Sequence, residues 1–354
     1  MHMADALISP PVGGAMWAAS IALAAYSARK IEPEIAERKI PLMGVVGAFV
    51  FAAQMINVTI PVTGSSGHLG GGMILTILLG PHAAFLVMFS ILAVQALFFA
   101  DGGLLALGCN VFNLGFWPCF VVYPLVFKKI VGASPTHRRL MTGSIVSGVL
   151  SLQLGAFCVV LQTLMSGISE LPFGTFLLLM QPIHLAIGII EGIVTAALVS
   201  FVWHARPELL ELSADRKLEP SMSLKPVLTA LAIAALVTGV LLSWFASTHP
   251  DGLEWAMFRI TGKEELAAPE DGVHATLARF QEKTAFMPDY DFAETSAIQE
   301  TGIEHSEEDA ESWPAVSAGT SVAGVVGGGI VLILAVLIGM SLRLIQRRRG
   351  TVTP

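Results

Sequence analysis

The run FGTFLLLMQPIHLAIGIIEGIVTAALVSFVW, residues 173–203, is the longest apolar stretch of the chain and carries one carboxylate and no Lys or Arg. A helix needs about 20 apolar residues to cross the hydrocarbon core of a bilayer. Comparable runs occupy 12–28, 40–57, 82–100, 104–127, 140–165, 226–246 and 320–342. The 354 residues are 54% hydrophobic and 13% charged, which excludes an ordinary soluble domain. The sequence therefore predicts an all-α, polytopic transmembrane helical bundle.

The number of crossings depends on a short segment, 68–79, which is apolar after its glycines and stops at Gly80-Pro81. At 1.5 Å per residue it covers about 18 Å, which is too short for a lipid-exposed span. If it crosses inside the bundle, every cluster of Lys and Arg faces the cytoplasm, whereas otherwise Lys128 and Lys129 fall outside. We therefore expect about nine crossings, with the N-terminus outside and the C-terminus inside.

Composition also divides the chain into modules. We expect a seven-helix membrane module at 1–205, a polar cytoplasmic linker at 206–225 and a two-span accessory module at 226–354. The accessory module contains an external loop, 247–319, whose acidic composition predicts a solvated and partly disordered segment. The net charge of −7 is concentrated in this loop, so nothing in the charge pattern points to nucleic acid.

Met1 and His2 offer a divalent metal three consecutive nitrogens: the terminal amine, the backbone nitrogen between the residues and the imidazole. When that backbone nitrogen is deprotonated, the set is planar, and a fourth nitrogen completes a square that favours Ni(II) or Cu(II) over zinc. His68 is the candidate fourth ligand, because its loop, 63–68, lies on the same external side as Met1 in this topology. The site requires a free N-terminus. We expect Met1 to be retained because His2 is large, and the acidic Asp5 argues against a cleaved signal peptide.

Further polar residues lie in or near the spans. His184 and Glu191 are seven positions apart on one helix face, so they form either a metal or proton pathway or a structural polar cluster. Asp101 and Asn110 flank an external Gly-Gly turn, where they either support His68 from outside the ligand set or cap a helix. Ala18 and Ala22 form a small-residue face on the first span, for a partner subunit or for internal packing.

Several motifs occur together and in order: Met1-His2, Thr63-Gly64-Ser65-Ser66-Gly67-His68-Leu69-Gly70, Gln95-Ala96-Leu97-Phe98, Gly102-Gly103-Leu104, Gly108-Cys109-Asn110 and His184 to Gly192. Over about residues 1–205 the chain resembles the substrate-binding membrane subunit of the cobalt/nickel class of energy-coupling-factor ABC transporters. The remainder resembles the small two-span accessory component of these transporters, and Pro250-Asp251-Gly252-Leu253-Glu254 is the signature of its nickel-type version.

The resemblance implies that the metal is held by the amine of Met1, the backbone nitrogen and ring of His2, and His68. It implies that the transported substrate is Ni²⁺, or alternatively Co²⁺ for cobalamin supply, and that the chain is not an enzyme. The implied partners are a transmembrane coupling subunit and cytoplasmic ATPase subunits, in a bacterial or archaeal plasma membrane. The sequence itself contains no GxxxxGK[ST] motif for ATP binding.

Two functions of other classes remain open on the residues. An intramembrane serine protease would use Ser65 or Ser66 as nucleophile and His184 as base. A metal-ion channel or secondary transporter would use His184 and Glu191 without any ATPase.

Overall fold

The computed structural model describes residues 2–31, 33–61, 63–210, 224–292 and 314–350. Met1, with the amine assigned to the metal, lies outside these ranges. So do residues 211–223 of the expected linker and 293–313 of the acidic loop. The described chain is mostly helical.

The first module consists of helices joined by short connections. They are α1 Pro10–Lys30, α2 Pro33–Gln54, α3 Gly72–Leu79, α4 Pro81–Phe98, α5 Leu107–Val131, α6 His137–Ser166 and α7 Phe173–Ala205. Short 3-10 turns, Asp5–Leu7 and Pro207–Leu209, precede α1 and follow α7. Proline begins α1 and α4, because its fixed φ and missing N–H suit the first turn of a helix.

Five helices of the described chain are long and apolar enough to cross a membrane: α4, α5, α6, α7 and Ala318–Ile345. Lys39–Gln54 and Lys225–Val240 are shorter apolar helices. The multi-pass helical architecture is thus confirmed.

The loop that carries His68 departs from the all-α expectation. It contains an antiparallel hairpin of β1 Val58–Ile60 and β2 Ser65–Gly67, with Thr59 opposite Ser66. The turn between the strands includes Gly64 at φ 70°, a conformation that side chains with a Cβ rarely adopt. The helix of the short segment consequently begins at Gly72 rather than at His68.

The middle of α5, Phe112–Phe127, is π-helical and contains Pro118 and Pro124, each of which lacks a backbone donor. This part of α5 packs against the start of α3. A Cβ at Gly72 would lie 2.6 Å from the Leu114 carbonyl oxygen and 2.5 Å from Pro118 Cγ. Glycine at this position is therefore what lets α3 begin so close to α5.

Helices α6 and α7 pack along each other through glycines. A Cβ at Gly192 would lie 2.5 Å from Ile145 Cα, and one at Gly188 would lie 2.8 Å from Val149 Cα. Small residues four positions apart allow two membrane helices to approach this closely. The crossing fixes the height and rotation of α7, which carries His184 and Glu191.

The accessory module contains α8 Lys225–Val240, α9 Gly252–Thr261, α10 Gly272–Thr284 and α11 Ala318–Gly350, with 3-10 turns at Leu242–Phe245 and Pro288–Tyr290. Helices α8 and α11 pack along α2, whereas α9 and α10 cover the end of the bundle where the hairpin lies. The described residues of the acidic loop thus include two helices, α9 and α10, which its composition did not predict. Asp251 and Glu254 form a capping box at the start of α9, and Leu253, Ala256 and Met257 bury one face of this helix.

Candidate metal site

The N-terminal segment is inserted into the bundle. Met3, Leu7 and Ile8 are almost fully buried, so the chain enters the core immediately after His2. The Asn110 side chain holds this segment by two bonds: the Met3 N–H donates to Oδ1 at 2.8 Å, and Nδ2 donates to the Met3 carbonyl at 3.2 Å. Asn110 thus fixes the backbone next to His2 rather than contacting His68.

The structure brings His2 and His68 together. Their rings are stacked, with centroids 4.7 Å apart and an interplanar angle of 6°. The His2 side chain is 6% exposed, and its Nδ1 lies 3.0 Å from Asp101 Oδ1. The two halves of the expected site therefore share one buried position, with a carboxylate next to one of them.

The orientation of the His2 ring has a chemical consequence. Nδ1 faces Asp101, while Nε2 is buried and has no hydrogen-bond partner. Only Nδ1 is close enough to its own backbone nitrogen to close a chelate ring with it. Metal binding through Nδ1 would therefore require this nitrogen to exchange its contact with Asp101 for the metal.

The glycine-rich stretch after His68 is tied to α7. His68 Nδ1 lies 3.0 Å from the Leu69 carbonyl oxygen. The Gly70 N–H donates to Glu191 Oε2 at 2.8 Å. Glu191 therefore anchors the loop two residues from His68. Its Oε2 accepts a hydrogen bond from a backbone N–H rather than from His184.

Ser66 joins the hairpin to the accessory module. Its N–H donates to the Pro250 carbonyl at 2.8 Å, and its Oγ donates to the His249 carbonyl at 2.7 Å. The segment before α9 thus pairs with β2 at the edge of the hairpin. The signature Pro250 to Glu254 consequently lies beside the loop of His68.

The serine protease geometry is not formed. Ser65 Oγ pairs with Thr63 Oγ1 at 2.7 Å, and Ser66 Oγ is bonded to carbonyl oxygens of the accessory module. His184 Nδ1 bonds the Met180 carbonyl of its own helix at 2.8 Å. Within the described part of the chain neither serine bonds His184, so a hydroxyl activated by this imidazole is absent there.

The accessory module also holds the loop of Asp101, through residues that the sequence analysis did not identify. The Tyr290 hydroxyl donates to Asp101 Oδ2. Gln281 Nε2 donates to the carbonyls of Ala96 and Gly102, both at 2.8 Å, and His274 Nε2 bonds the Ile8 carbonyl at 2.9 Å. These contacts join residues more than 170 positions apart, and no local pattern in the sequence could have revealed them.

The pKa values of Asp101 and Tyr290 are shifted by these contacts. Burial by itself would raise the pKa of Asp101, but His2 and the Tyr290 hydroxyl lower it well below its usual value. Burial and the neighbouring Asp101 carboxylate raise the pKa of Tyr290. Asp101 is therefore an anion that accepts hydrogen bonds from both sides.

The side chains do not form a complete metal site by themselves. Across the described ranges, no group of three His, Cys, Asp or Glu side chains is gathered at distances suited to a metal ion. A site built on His2 and His68 therefore needs backbone or terminal nitrogens as well, and the amine of Met1 lies outside the described residues.

These features define a multi-pass helical membrane protein with a buried imidazole pair at one end of its bundle. Residues 2–209 match the family described as the cobalt uptake substrate-specific transmembrane region, and residues 225–344 match the PDGLE domain. The chain belongs to this cobalt uptake family and carries a fused PDGLE domain. The predicted fusion of a substrate-binding module and an accessory module is confirmed.

Several metal transport proteins resemble this chain, among them one with the same fused organisation. The fused nickel transport protein NikMN of Rhodobacter capsulatus is 31% identical over 317 residues, which are 82% of this chain and 88% of that protein. The cobalt transport protein CbiM of Sorangium cellulosum is 30% identical over 63% of this chain and 100% of its own length. A crystal structure of a truncated transition metal transporter is 28% identical with a TM-score of 0.51, covering 58% of this chain and 99% of that one. These relatives are metal transport proteins, not enzymes.

Proposed function

We propose that this chain is the substrate-capturing membrane subunit of an ATP-driven uptake system for a divalent transition metal, and that the metal is Ni(II). The observation that carries the proposal is the buried stack of His2 on His68, 4.7 Å apart, next to Asp101. The names of the relatives, which are nickel and cobalt transport proteins, support the same class of substrate.

In this proposal Met1 contributes its amine, His2 its backbone nitrogen and Nδ1, and His68 the fourth nitrogen. The backbone nitrogen binds as an anion, so binding releases its proton and affinity rises with pH. The strong field of four nitrogens in a plane favours Ni(II) over Co(II), which is the alternative substrate. Cu(II) would bind the same nitrogens more tightly, so selectivity rests on a rigid pocket and on metal supply.

Three contacts hold the proposed metal pocket rigid. Asn110 fixes the backbone at Met3, Glu191 fixes the loop at Gly70, and Ser66 ties the hairpin to the accessory module. Each contact lies within two residues of a proposed ligand or of its loop. The roles proposed for Asp101, Asn110, Glu191 and Ser66 are therefore to position ligands rather than to bind metal.

Transport requires partners that this chain does not contain. We propose a transmembrane coupling subunit and cytoplasmic ATPases in a prokaryotic plasma membrane. On α1, Ala18 and Ala22 are exposed, whereas Ser20 is buried and donates to the Gly108 carbonyl at 2.7 Å. The alanine face therefore allows another helix to approach closely. Exposed Leu and Ile side chains elsewhere on the bundle are suited to contact lipid.

The test is calorimetric titration of the detergent-solubilised full chain, with a free N-terminus verified by mass spectrometry, using Ni(II) and then Co(II). We expect one tight equivalent of Ni(II) that disappears in His68→Ala and after insertion of one residue between Met1 and His2. His137→Ala, which removes an exposed histidine, should bind normally. Unchanged Ni(II) affinity in the insertion variant would overturn the N-terminal site.

A further inference from the structure

His184 is a buried imidazole that the proposed four-nitrogen site does not use. It is 1% exposed and lies on α7, and its Nε2 has no hydrogen-bond partner. An unpartnered polar atom in a protein interior costs free energy, so a group of this kind calls for a ligand, an ion or a water molecule.

The tautomer of this ring follows from its contact. Nδ1 lies 2.8 Å from the Met180 carbonyl oxygen, which can only accept a hydrogen bond. A neutral His184 therefore carries its proton on Nδ1 and leaves a lone pair on Nε2. This is the form of imidazole that binds metal ions, with the second nitrogen oriented by a carbonyl.

His184 lines a small cavity next to the proposed metal site. His68, His184, Asp251 and Gly252 line this cavity together with parts of the glycine loop and of α5 and α6. A Cβ at Gly252 would lie 3.2 Å from His184 Cε1, so the accessory module closes directly over the ring. The space suits one water molecule or one bare cation, not an organic ligand.

The other cavity groups suit a cation. Asp251 caps α9, with Oδ1 accepting from the N–H groups of Leu253 and Glu254 at 2.7 and 2.9 Å, so its carboxylate is held in place. Imidazole nitrogen and carboxylate oxygen are both ligands for divalent first-row metals. Within the described ranges no third His, Cys, Asp or Glu side chain joins these two, so water would complete the shell of a cation held by His184 and Asp251.

We propose that His184, with Asp251, forms a second and weaker divalent-cation site that receives the metal as it leaves the four-nitrogen site. The proposal rests on the transport function given above. A site of two protein ligands beside one of four binds more weakly, and it can therefore pass an ion on rather than retain it. His68 lines the same cavity, so the ion moves from one site to the next without returning to the solvent.

The experiment uses the full chain with the tight site disabled by His2→Ala, titrated with Ni(II) in equilibrium dialysis. We expect one weak equivalent, reduced at least tenfold in affinity by adding His184→Ala or Asp251→Asn. The matched control adds His204→Ala, because His204 is exposed on the same helix and makes the same bond, from Nδ1 to the Ser200 carbonyl at 2.7 Å.

Absence of the weak equivalent in His2→Ala, or its survival in both double variants, would overturn the second site and indicate that the cavity holds only water. A thermal melt checks that the double variants fold, and the Asp251 variant keeps a side chain able to cap α9. Failure of the proposed function is a separate result, because it shows as the absence of a tight equivalent in the unaltered chain.

Discussion

At the scale of single residues, the geometry of the proposed site depends on Asp101. One carboxylate oxygen faces His2, and the other accepts from Tyr290 of the accessory module. Both contacts are charge-assisted, which makes them stronger and more directional than neutral hydrogen bonds. The orientation of His2 is therefore set by a residue 288 positions away in sequence.

Tyr290→Phe tests this connection. Loss of the hydroxyl leaves Asp101 with one fewer donor and loosens the His2 ring, so we expect Ni(II) affinity to fall by about tenfold. Calorimetry on the purified chain measures the change. Tyr26→Phe is the control, because it deletes the same atom from a half-exposed tyrosine of α1. Equal affinities in the two variants would mean that Tyr290 does not position the site.

Glu254→Gln tests an electrostatic property of the capping box. Burial and the adjacent Asp251 carboxylate raise the pKa of Glu254 above its ordinary value of 4.5. Above pH 4.5 the folded chain therefore holds a proton that the unfolded chain releases, and its free energy of unfolding falls as pH rises. Glutamine keeps the acceptor for the Asp251 N–H and removes the titration.

We expect the Tm of Glu254→Gln to exceed that of the unaltered chain by about 2 °C at pH 8.5, with the difference shrinking towards pH 5. Thermal melts at several pH values measure it. Glu264→Gln, on an exposed glutamate, should show no such trend. A difference that grows as pH falls would contradict the assignment of the raised pKa.

At the scale of elements, the contact between α6 and α7 sets the position of both His184 and Glu191. Gly192→Ala places a Cβ 2.5 Å from Ile145 Cα, and because that atom is backbone, the helices must separate. We expect a loss of about 2–3 kcal/mol in stability, together with weaker Ni(II) binding as the Glu191 bond to Gly70 lengthens. Melting and titration of the same preparation measure both effects.

Gly174→Ala is the matched control for this prediction. Gly174 lies on the same helix, and a Cβ there meets no atom within 4 Å. Because alanine is the better helix former, this variant should be neutral or more stable by up to about 1 kcal/mol. Similar destabilisation in both variants would show that the crossing tolerates a methyl group.

The exposed alanine face of α1 gives a prediction about partners. Ala22→Trp adds a bulky ring where a coupling helix would approach, so we expect Ni(II) uptake by cells to fall at least tenfold while the purified chain binds Ni(II) normally. Leu178→Trp is the control, because Leu178 is already large and 74% exposed on α7. Normal uptake by the Ala22 variant would remove this face from the proposed interface.

Sequence patterns predicted some elements well and others poorly, for identifiable reasons. Long apolar runs such as Phe173–Ala205 could be predicted as helices from hydropathy alone, because a segment in lipid must satisfy its backbone hydrogen bonds within one continuous helix. The Met1-His2 pair drew attention to His68 through chelate chemistry, and the structure places His2 and His68 together. By contrast, the acidic segment after Ser247 was expected to be solvated, yet α10 packs against the bundle through contacts such as Gln281 to Gly102. The average composition of such a segment cannot show which few of its residues contact the rest of the protein.

At the scale of the whole molecule, the number of crossings depends on whether residues 70–79 cross the protein. The Gly70 carbonyl accepts from Gln54 Nε2 at 2.8 Å, near one end of α2, and the Leu79 carbonyl accepts from Lys39 Nζ at 3.3 Å, near the other. The segment thus runs antiparallel to α2 over most of its apolar length. Every side chain of α3 is buried, as a span inside a bundle requires.

This arrangement supports the proposal of nine crossings with the N-terminus outside. A cysteine placed at Lys263, beyond α9, should then react with a membrane-impermeant maleimide on intact cells. A cysteine at Lys129, in the last turn of α5, should react only after permeabilisation. The background has Cys109, Cys119 and Cys158 replaced by alanine, and retained Ni(II) binding verifies its fold.

Both labelling sites follow α3 in the chain, so whether α3 crosses or returns decides on which side of the membrane each of them lies. With nine crossings, Lys128 and Lys129 join the other basic clusters on the cytoplasmic side, as the positive-inside rule requires. Labelling of the Lys129 cysteine from outside would mean that α3 returns to the side from which it entered. The loop of His68 and the basic end of α5 would then share the outer face of the membrane, against the positive-inside rule.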